Sequence, residues 1–372
     1  MTSDSLLLIA LGLAIVHICI PLAYYYYLKK WWLNKPWNIK RDPSYKPKVS
    51  IIIPTYNEAG LIESKLDDLA RQYYPKELLE IVVVDSASTD GTPEKVEEWA
   101  QGNPGLKLVL LREPVRRGKA FALNYALKHT TGDIIVVTDV DATWPSSNTL
   151  SNAVSWFSDP AVGAVTCLKI PAGKGFVGVE EGYREFYNIV RLAESKKHST
   201  PVFHGELAAF RRALLDELNG FTTDIGADDS HTATRVTLMG YRSIAVDNAW
   251  CVEKVPYKGY HSWRVRRAQH LVQHFAKTLK LLKRAPRDLK PVLLVEAWLH
   301  LFNPWLLLVS TLLLLYLAIK GSAPALALLA LGALLLVLKP LRTWIITQLY
   351  LIIAALRNTW TREIAWRKQE KL

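Results

Sequence analysis

Apolar stretches of two lengths divide the chain. Residues 6–28 run for 23 positions without a formal charge, about 34 Å as an α-helix and enough to cross a bilayer. Tyrosines at 24–27 and the pair Trp31-Trp32 follow, an aromatic belt of the kind found at membrane–water boundaries. A cleaved signal peptide fits this run poorly, because it is long and no basic residue precedes it. Further on the rhythm shortens. Apolar runs at 49–53, 80–84, 106–111 and 134–137 read as buried strands. Helical periodicity at 61–72, beyond Pro93 and at 119–128 separates them. Strands alternating with helices predict a mostly parallel sheet with both faces covered.

A second half of this unit holds a strand at 164–167 and helices at 179–195 and 230–240, with a Gly-rich loop at 173–178. Its glycines at 173, 175 and 178 have phosphate-loop spacing. Pro171 and the lack of an adjoining strand argue instead for a substrate loop or a plain connector. From 263 to 284 the pattern becomes amphipathic. Ala268, Leu271, Val272, Phe275, Leu279 and Leu282 form one stripe, with Arg264, Arg266, Arg267, Lys277, Lys280, Lys283 and Arg284 around it. Such a helix suits the plane of an anionic membrane, or else a basic surface of the folded domain. Apolar runs at 291–319, interrupted by Asn303-Pro304, and at 323–338 predict a helical hairpin through the bilayer. Residues 344–356 are too few to span, and the basic tail after them (Arg357, Arg362, Arg367, Lys368, Lys371) favours an interfacial position.

These boundaries give a membrane helix at 1–28, a basic linker at 29–47, an α/β domain at 48–262 and an interface helix at 263–290. A membrane hairpin at 291–340 and an interfacial tail at 341–372 complete the chain. Composition sharpens the picture. Half of the 372 residues are hydrophobic, yet the net charge is +12. That combination allows anionic lipid, a phosphorylated substrate or nucleic acid as partner. Nucleic acid is disfavoured, because the cations flank apolar segments rather than a stacking surface of exposed aromatics. Seven Lys or Arg against Asp42 between residues 29 and 48 place the linker and the domain on the cytoplasmic side of a cell membrane. Cys19, Cys167 and Cys251 are far apart in sequence and make no metal or disulfide pattern.

The chemistry centres on Asp139 and Asp141, released at the carboxyl end of the 134–137 strand, where open α/β sheets place ligands. Carboxylates at i and i+2 share one side of an extended chain and repel unless a cation lies between them. A solvated turn and a hard-cation site for Mg2+ or Mn2+ fit this pair equally well.

The pair belongs to a longer series. Val49-Ser-Ile-Ile-Ile-Pro-Thr-Tyr-Asn-Glu58, Val82-Val-Val-Asp-Ser-Ala-Ser-Thr-Asp-Gly-Thr92, Gly118-Lys-Ala-Phe-Ala-Leu-Asn124 and Thr138-Asp-Val-Asp141 come in this order. Phe203-His-Gly-Glu-Leu-Ala-Ala-Phe-Arg-Arg212, Ala227-Asp-Asp229 and Gly240-Tyr-Arg242 follow. This series resembles family 2 glycosyltransferases, inverting enzymes with the GT-A nucleotide-sugar fold, over roughly residues 48 to 270. The resemblance implies that Pro54, Tyr56, Glu58 and Asp85 meet the nucleoside and that Lys119 meets the diphosphate. It also implies that Asp141, with Asp139, holds Mn2+ or Mg2+. Asp229 matches the family's base, with Asp228 before it, and an Asp pair opening a helix also fits simple capping.

Three departures stand out. Ser86 replaces a second Asp frequent after Asp85. His204, Gly205 and Glu206 replace the Cys-Gly-Ser of many polymerising relatives near the acceptor. The Gln-x-x-Arg-Trp of processive members becomes Trp263-Arg-Val-Arg-Arg267, leaving Arg266 as the cation facing the diphosphate. The implied enzyme is a metal-dependent hexosyltransferase resembling the hyaluronan and cellulose synthase group. Its donor is a nucleoside-diphosphate sugar, with UDP favoured, and its acceptor is membrane-presented, lipid-linked or glycan. A processive polysaccharide synthase is the alternative. A non-catalytic nucleotide-binding scaffold would require loss of an acidic residue, and none is lost.

Overall fold

The chain is described by a computed structural model that covers residues 2–361. Strands β1 (Val49–Thr55), β2 (Leu79–Ser86), β3 (Lys107–Glu113), β4 (Ile134–Val137), β5 (Ala142–Thr143), β6 (Val162–Ala172), β7 (Ala208–Arg211) and β8 (Arg242–Lys254) form one sheet. Their order is β3-β2-β1-β4-β7-β6-β8-β5. The first four run parallel. The chain leaves β1 towards β2 on one side and reaches β4 on the other, so the carboxyl ends of β1 and β4 form a topological switch point. The other half is mixed, because β7 runs antiparallel to both β4 and β6. This strand, Ala208-Ala-Phe-Arg211, is too short to show an alternation that would announce it.

The apolar runs exist because both faces are covered. Ile51 and Ile53 pack on one side with Ile62, Leu66, Leu69 and Trp99, from helices α2 (Ile62–Ala70) and α3 (Thr92–Gly102). Helix α5 (Thr149–Val154) closes the same side. Ile52 points the opposite way, as period two requires. It meets Leu123 of α4 (Lys119–Leu127), Leu215 of α7 (Arg212–Glu217) and Val236 of α8 (Asp228–Leu238).

Strand β6 is longer than expected. It passes through Pro171 to Ala172 and adjoins the Gly-rich loop directly, correcting the view that no strand precedes it. Beyond Thr166 it pairs only with β8, and a proline is tolerated on such a one-sided stretch. Helix α6 (Val177–Lys197) starts after the loop. Cys167 and Cys251, distant in sequence, are both buried as free thiols on the neighbouring strands β6 and β8.

Helix α1 (Ser3–Leu28) continues through a π-turn at Lys29–Leu33. Helix α10 (Lys290–Ala297), a π-turn at Trp298–Phe302 and α11 (Asn303–Ile319) form a second long helix. The two runs, of 31 and 30 residues, are long and apolar enough to cross a membrane. Asn303-Pro304 therefore does not break the second one. The wider turn accommodates the carbonyl that proline leaves without a donor. Polar groups of both runs face protein: Arg191 of α6 lies 2.8 Å from Glu296 of α10, and Tyr24 of α1 donates to Glu194 of α6 at 2.7 Å. Helix α12 (Ala323–Leu335) turns by 107° into α13 (Lys339–Arg357). Arg362, Arg367, Lys368 and Lys371 of the basic tail lie outside the described residues.

The helix expected in the membrane plane is α9 (Tyr260–Leu281), and here the expectation changes most. Arg264 and Arg266 are buried rather than spread over headgroups. Arg264 pairs with Glu180 of α6, and Arg267 pairs with Glu253 of β8. Carboxylates from two other elements neutralise these cations, so the first half of α9 turns inward against α13.

Candidate active site

A cavity of about 260 Å³ opens over the carboxyl ends of β1 and β4 and reaches α9, α13 and the π-turn before α11. Pro54, Tyr56, Glu58, Lys119, Asp139, Asp141, His204, Gly205, Glu206, Asp228, Asp229 and Arg266 all line it. Asp85 does not. It sits buried behind the wall, accepting from Thr55 Oγ1 at 3.3 Å and from the Ser88 N–H at 2.9 Å. The chain presents Ser86 to the cavity instead. The Ser86 hydroxyl donates at 2.8 Å to Glu113 at the end of β3, so a carboxylate from the neighbouring strand stands behind this position. Tyr56 carries the Arg116 guanidinium 3.9 Å from its ring centre, a cationic and aromatic surface at this end.

Beside it lies the acidic pair. Lys119, the first residue of α4, places Nζ 2.7 Å from Asp139 Oδ1. The Asp139 N–H donates to Gly205 O at 2.9 Å. Gly205 therefore lies against the Asp139–Lys119 pair. A Cβ there would come 2.7 Å from Asp139 Oδ2 and 2.8 Å from Lys119 Nζ. A buried scaffold fixes the loop after Asp139. Lys65 Nζ donates to Ala142 O at 2.9 Å, and the Trp144 N–H donates to Asp68 at 2.8 Å. Burial alone would lower the Lys119 ammonium, but Asp139, Asp228 and Asp229 outweigh it and hold the group above its ordinary value.

The donor set fits a hard divalent cation in one particular way. Among the described residues no cluster of three His, Cys, Asp or Glu side chains could hold an ion. Asp139 and Asp141 thus supply only part of a coordination sphere. Mg2+, and Mn2+ by similar oxygen preference, is commonly bound by one or two carboxylates with phosphate and water completing the shell. Lys119 already engages Asp139, and the family resemblance implies Asp141 as the direct ligand.

Asp228 and Asp229 open α8 across the cavity. Asp229 Oδ1 accepts from the Ser230 N–H at 2.6 Å. The Ser230 hydroxyl accepts from the Phe203 N–H at 3.0 Å, tying this helix start to the His204–Glu206 segment. Burial pushes the Asp228 carboxyl up to about 7 against the opposing charge of Lys119. Burial also raises Asp229, with Lys119 and the Ser230 N–H acting the other way. The helix N-terminus and the lysine preserve an ionised form that burial alone would suppress.

Beyond the acidic residues, a charged wall appears that no local motif marks. Lys169 of β6 lies 2.6 Å from Glu206 and 3.0 Å from Glu253, and Arg184 of α6 lies 2.7 Å from Glu253. Burial would raise Glu253, but Arg184, Arg267 and Lys169 hold it well below the usual carboxylate range. Burial raises Glu206 and keeps His204 neutral by lowering it. Tyr183, Trp263, Thr347 and Tyr350 extend the cavity between α6, α9 and α13. Apart from His204 and Glu206, these residues come from β6, α6, β8, α9 and α13, so spacing along the chain carried no signal of them. The Gly-rich loop stays outside the cavity lining.

A cleft with cations for a diphosphate at one end and basic carboxylates opposite them has the makings of an enzyme that transfers a sugar from a nucleotide. The family model "Glycosyl transferase family 2" matches residues 50–218. A mannosyltransferase from Pyrobaculum calidifontis, solved in complex with GDP-Man and Mn2+, is 55% identical with a TM-score of 0.90. The match covers 96% of this chain and 100% of that one. The protein named "Probable glycosyltransferase YdaM" from Bacillus subtilis is 30% identical over 64% of this chain and 59% of its own length. A UDP-forming cellulose synthase catalytic subunit from Pseudomonas fluorescens is 29% identical over 76% of this chain and 39% of its own. The chain thus spans from about two fifths to three fifths of these two curated relatives. It belongs to glycosyltransferase family 2, with a GT-A fold, and is a glycosyltransferase that uses a nucleotide-sugar donor.

Proposed function

We propose that this enzyme transfers mannose from GDP-mannose, with a divalent cation, to a hydroxyl of a lipid-linked acceptor at the cytoplasmic face of a membrane. The observation that carries the reading is the continuity of one cavity. It runs from Tyr56 and Lys119 past Asp139 and Asp229 to Thr347 and Tyr350 on α13. Donor and acceptor could therefore meet where membrane-associated helices form a wall. The UDP preference implied by the family at large gives way to GDP, because the Pyrobaculum enzyme matches over its whole length and was solved with GDP-Man and Mn2+.

In this reading Tyr56 and Arg116 stack against the nucleoside, and Glu58 lies within reach of its ribose. Lys119 and the N-terminus of α4 receive the diphosphate, whose negative charge grows as the sugar–oxygen bond breaks. A cation held by Asp139 and Asp141 would add Lewis-acid stabilisation of that leaving group. Asp229 takes the proton from the acceptor hydroxyl as its oxygen attacks the anomeric carbon from the opposite face, which inverts the configuration. Asp228, raised to about 7, holds negative charge back from the pair and so limits repulsion around Asp229. His204, Glu206 and the charged wall behind them order acceptor hydroxyls. Thermal-shift screening against GDP-, UDP- and dTDP-sugars with Mn2+ tests the donor. Stabilisation by GDP-mannose above the others is expected, and preference for a UDP-sugar would refute the assignment.

Product length decides between single transfer and the processive alternative that relatives such as the cellulose synthase bring to mind. A single added sugar is expected, and a ladder of long chains would sink the single-transfer reading.

A further inference from the structure

The segment that delivers Asp228 and Asp229 is gripped by one face of α9. His270, Gln273 and Lys277 stand at i, i+3 and i+7, so their side chains project from the same side of the helix. Lys277 forms an ion pair with Asp224. Gln273 Oε1 accepts from the Gly226 N–H at 3.2 Å. The Nε2–Cδ2 edge of the His270 imidazole occupies the space a Cβ on Gly226 would take. Gly226 is absent from the positive-φ glycines, so close approach alone requires glycine there. About two turns of helix therefore fix residues 224 and 226, two to five positions before the acidic pair. A fourth contact follows on α8 itself, where His231 packs edge-on to His274 with ring centroids 5.8 Å apart.

The same glutamine faces the other way as well. Gln273 Nε2 donates to Asn358 Oδ1 at 2.8 Å, at the residue that closes α13. Asn358 Nδ2 in turn donates to Gln269 O at 3.3 Å. One side chain thus joins the end of a membrane-associated helix to the backbone just ahead of Asp229.

We propose that His270, Gln273 and Lys277 are positioning residues that set the Asp229 carboxylate. We further propose that Gln273 links its position to the seating of α13. This rests on the assignment of Asp229 as the base. Ordinary packing between helices would also bring α9 near α8, but it would not need a side-chain amide bonded to a loop N–H and a glycine pressed on a ring. A base displaced by about 1 Å loses roughly 10²-fold in rate while the donor still binds.

The test uses the full chain in lipid nanodiscs, with Gly226→Ala, His270→Ala, the double variant and Gln273→Leu. Gly226→Ala should lower kcat about 10²-fold and leave the KM for donor within about twofold. His270→Ala should cost less alone, since Gln273 and Lys277 still hold the segment, and adding it to Gly226→Ala should recover most of the lost kcat. Gln273→Leu should lower kcat at constant donor KM and speed hydrogen exchange at the Gly226 amide. A Gly226→Ala enzyme as fast as the parent would overturn the proposal. So would a double variant no faster than Gly226→Ala, or a Gln273→Leu enzyme with unchanged kcat and exchange. The exchange measurement needs no substrate. If GDP-mannose proves not to be the donor, it still decides whether Gln273 holds this segment.

Discussion

Substituting alanine for Gly205 inserts a methyl group between the two charges that face the donor diphosphate. The added carbon would lie 2.7 Å from Asp139 Oδ2 and 2.8 Å from Lys119 Nζ, where ordinary contacts are 3.4–4 Å. Both atoms are side-chain ends, so the contact is relieved by moving the two charges themselves. Asp139 is tied through its N–H to Gly205 O at 2.9 Å, and Lys119 is the first residue of α4. A displacement of about 0.7 Å follows, and at roughly 10²-fold per ångström the loss is on the order of 30-fold, about 2 kcal/mol. It should appear in donor binding and in kcat together, because Lys119 and Asp139 serve the diphosphate and the cation. Calorimetric titration of GDP with Mn2+, alongside initial rates at varied donor and acceptor, measures both. Unchanged donor affinity with a raised acceptor KM would refute the reasoning. It would return Gly205 to the acceptor role implied by its neighbours His204 and Glu206.

Two further outcomes follow from the burial of charge. Burial raises Asp229 and takes Asp228 up to about 7, and a base must be ionised to accept a proton. Activity should therefore fall on acidification at a higher pH than an ordinary carboxylate would give, because the raised Asp229 takes up its proton earlier. An acid limb near 4 in the profile of kcat/KM would count against this. Arg191 neutralises Glu194 and Glu296 where α6 meets α10. Arg191→Met leaves two buried carboxylates together and should cost about 3–5 kcal/mol, seen as a lower unfolding midpoint in detergent. An unchanged midpoint would mean the pair is not held by that arginine.

What the sequence revealed and what it concealed divide along a physical line. Strands β1, β2 and β4 announced themselves through unbroken apolar runs, because helices cover both faces of the sheet. Asp139, Asp141, Lys119 and Asp229 sit at the ends of such elements, so locating the element located the residue. Asp85 followed the same logic and yet turned inward, because Thr55 and Ser88 offer it hydrogen bonds behind the wall. Lys169, Arg184 and Glu253 come together around Glu206 only when β6, α6 and β8 pack, and nothing in their spacing foretells it. Helix α9 misled for the same reason. Its arginines look solvent-bound until Glu180 and Glu253, remote in sequence, are brought against them.

Asp229→Asn tests the central claim most directly, since the amide keeps the shape of the side chain and removes its basicity. GDP with Mn2+ should bind within about twofold of the parent, while sugar transfer falls by about 10²–10⁴-fold, the usual contribution of a general base. Transfer at close to the parent rate, or a loss of nucleotide binding in step with the loss of transfer, would contradict Asp229 as the base.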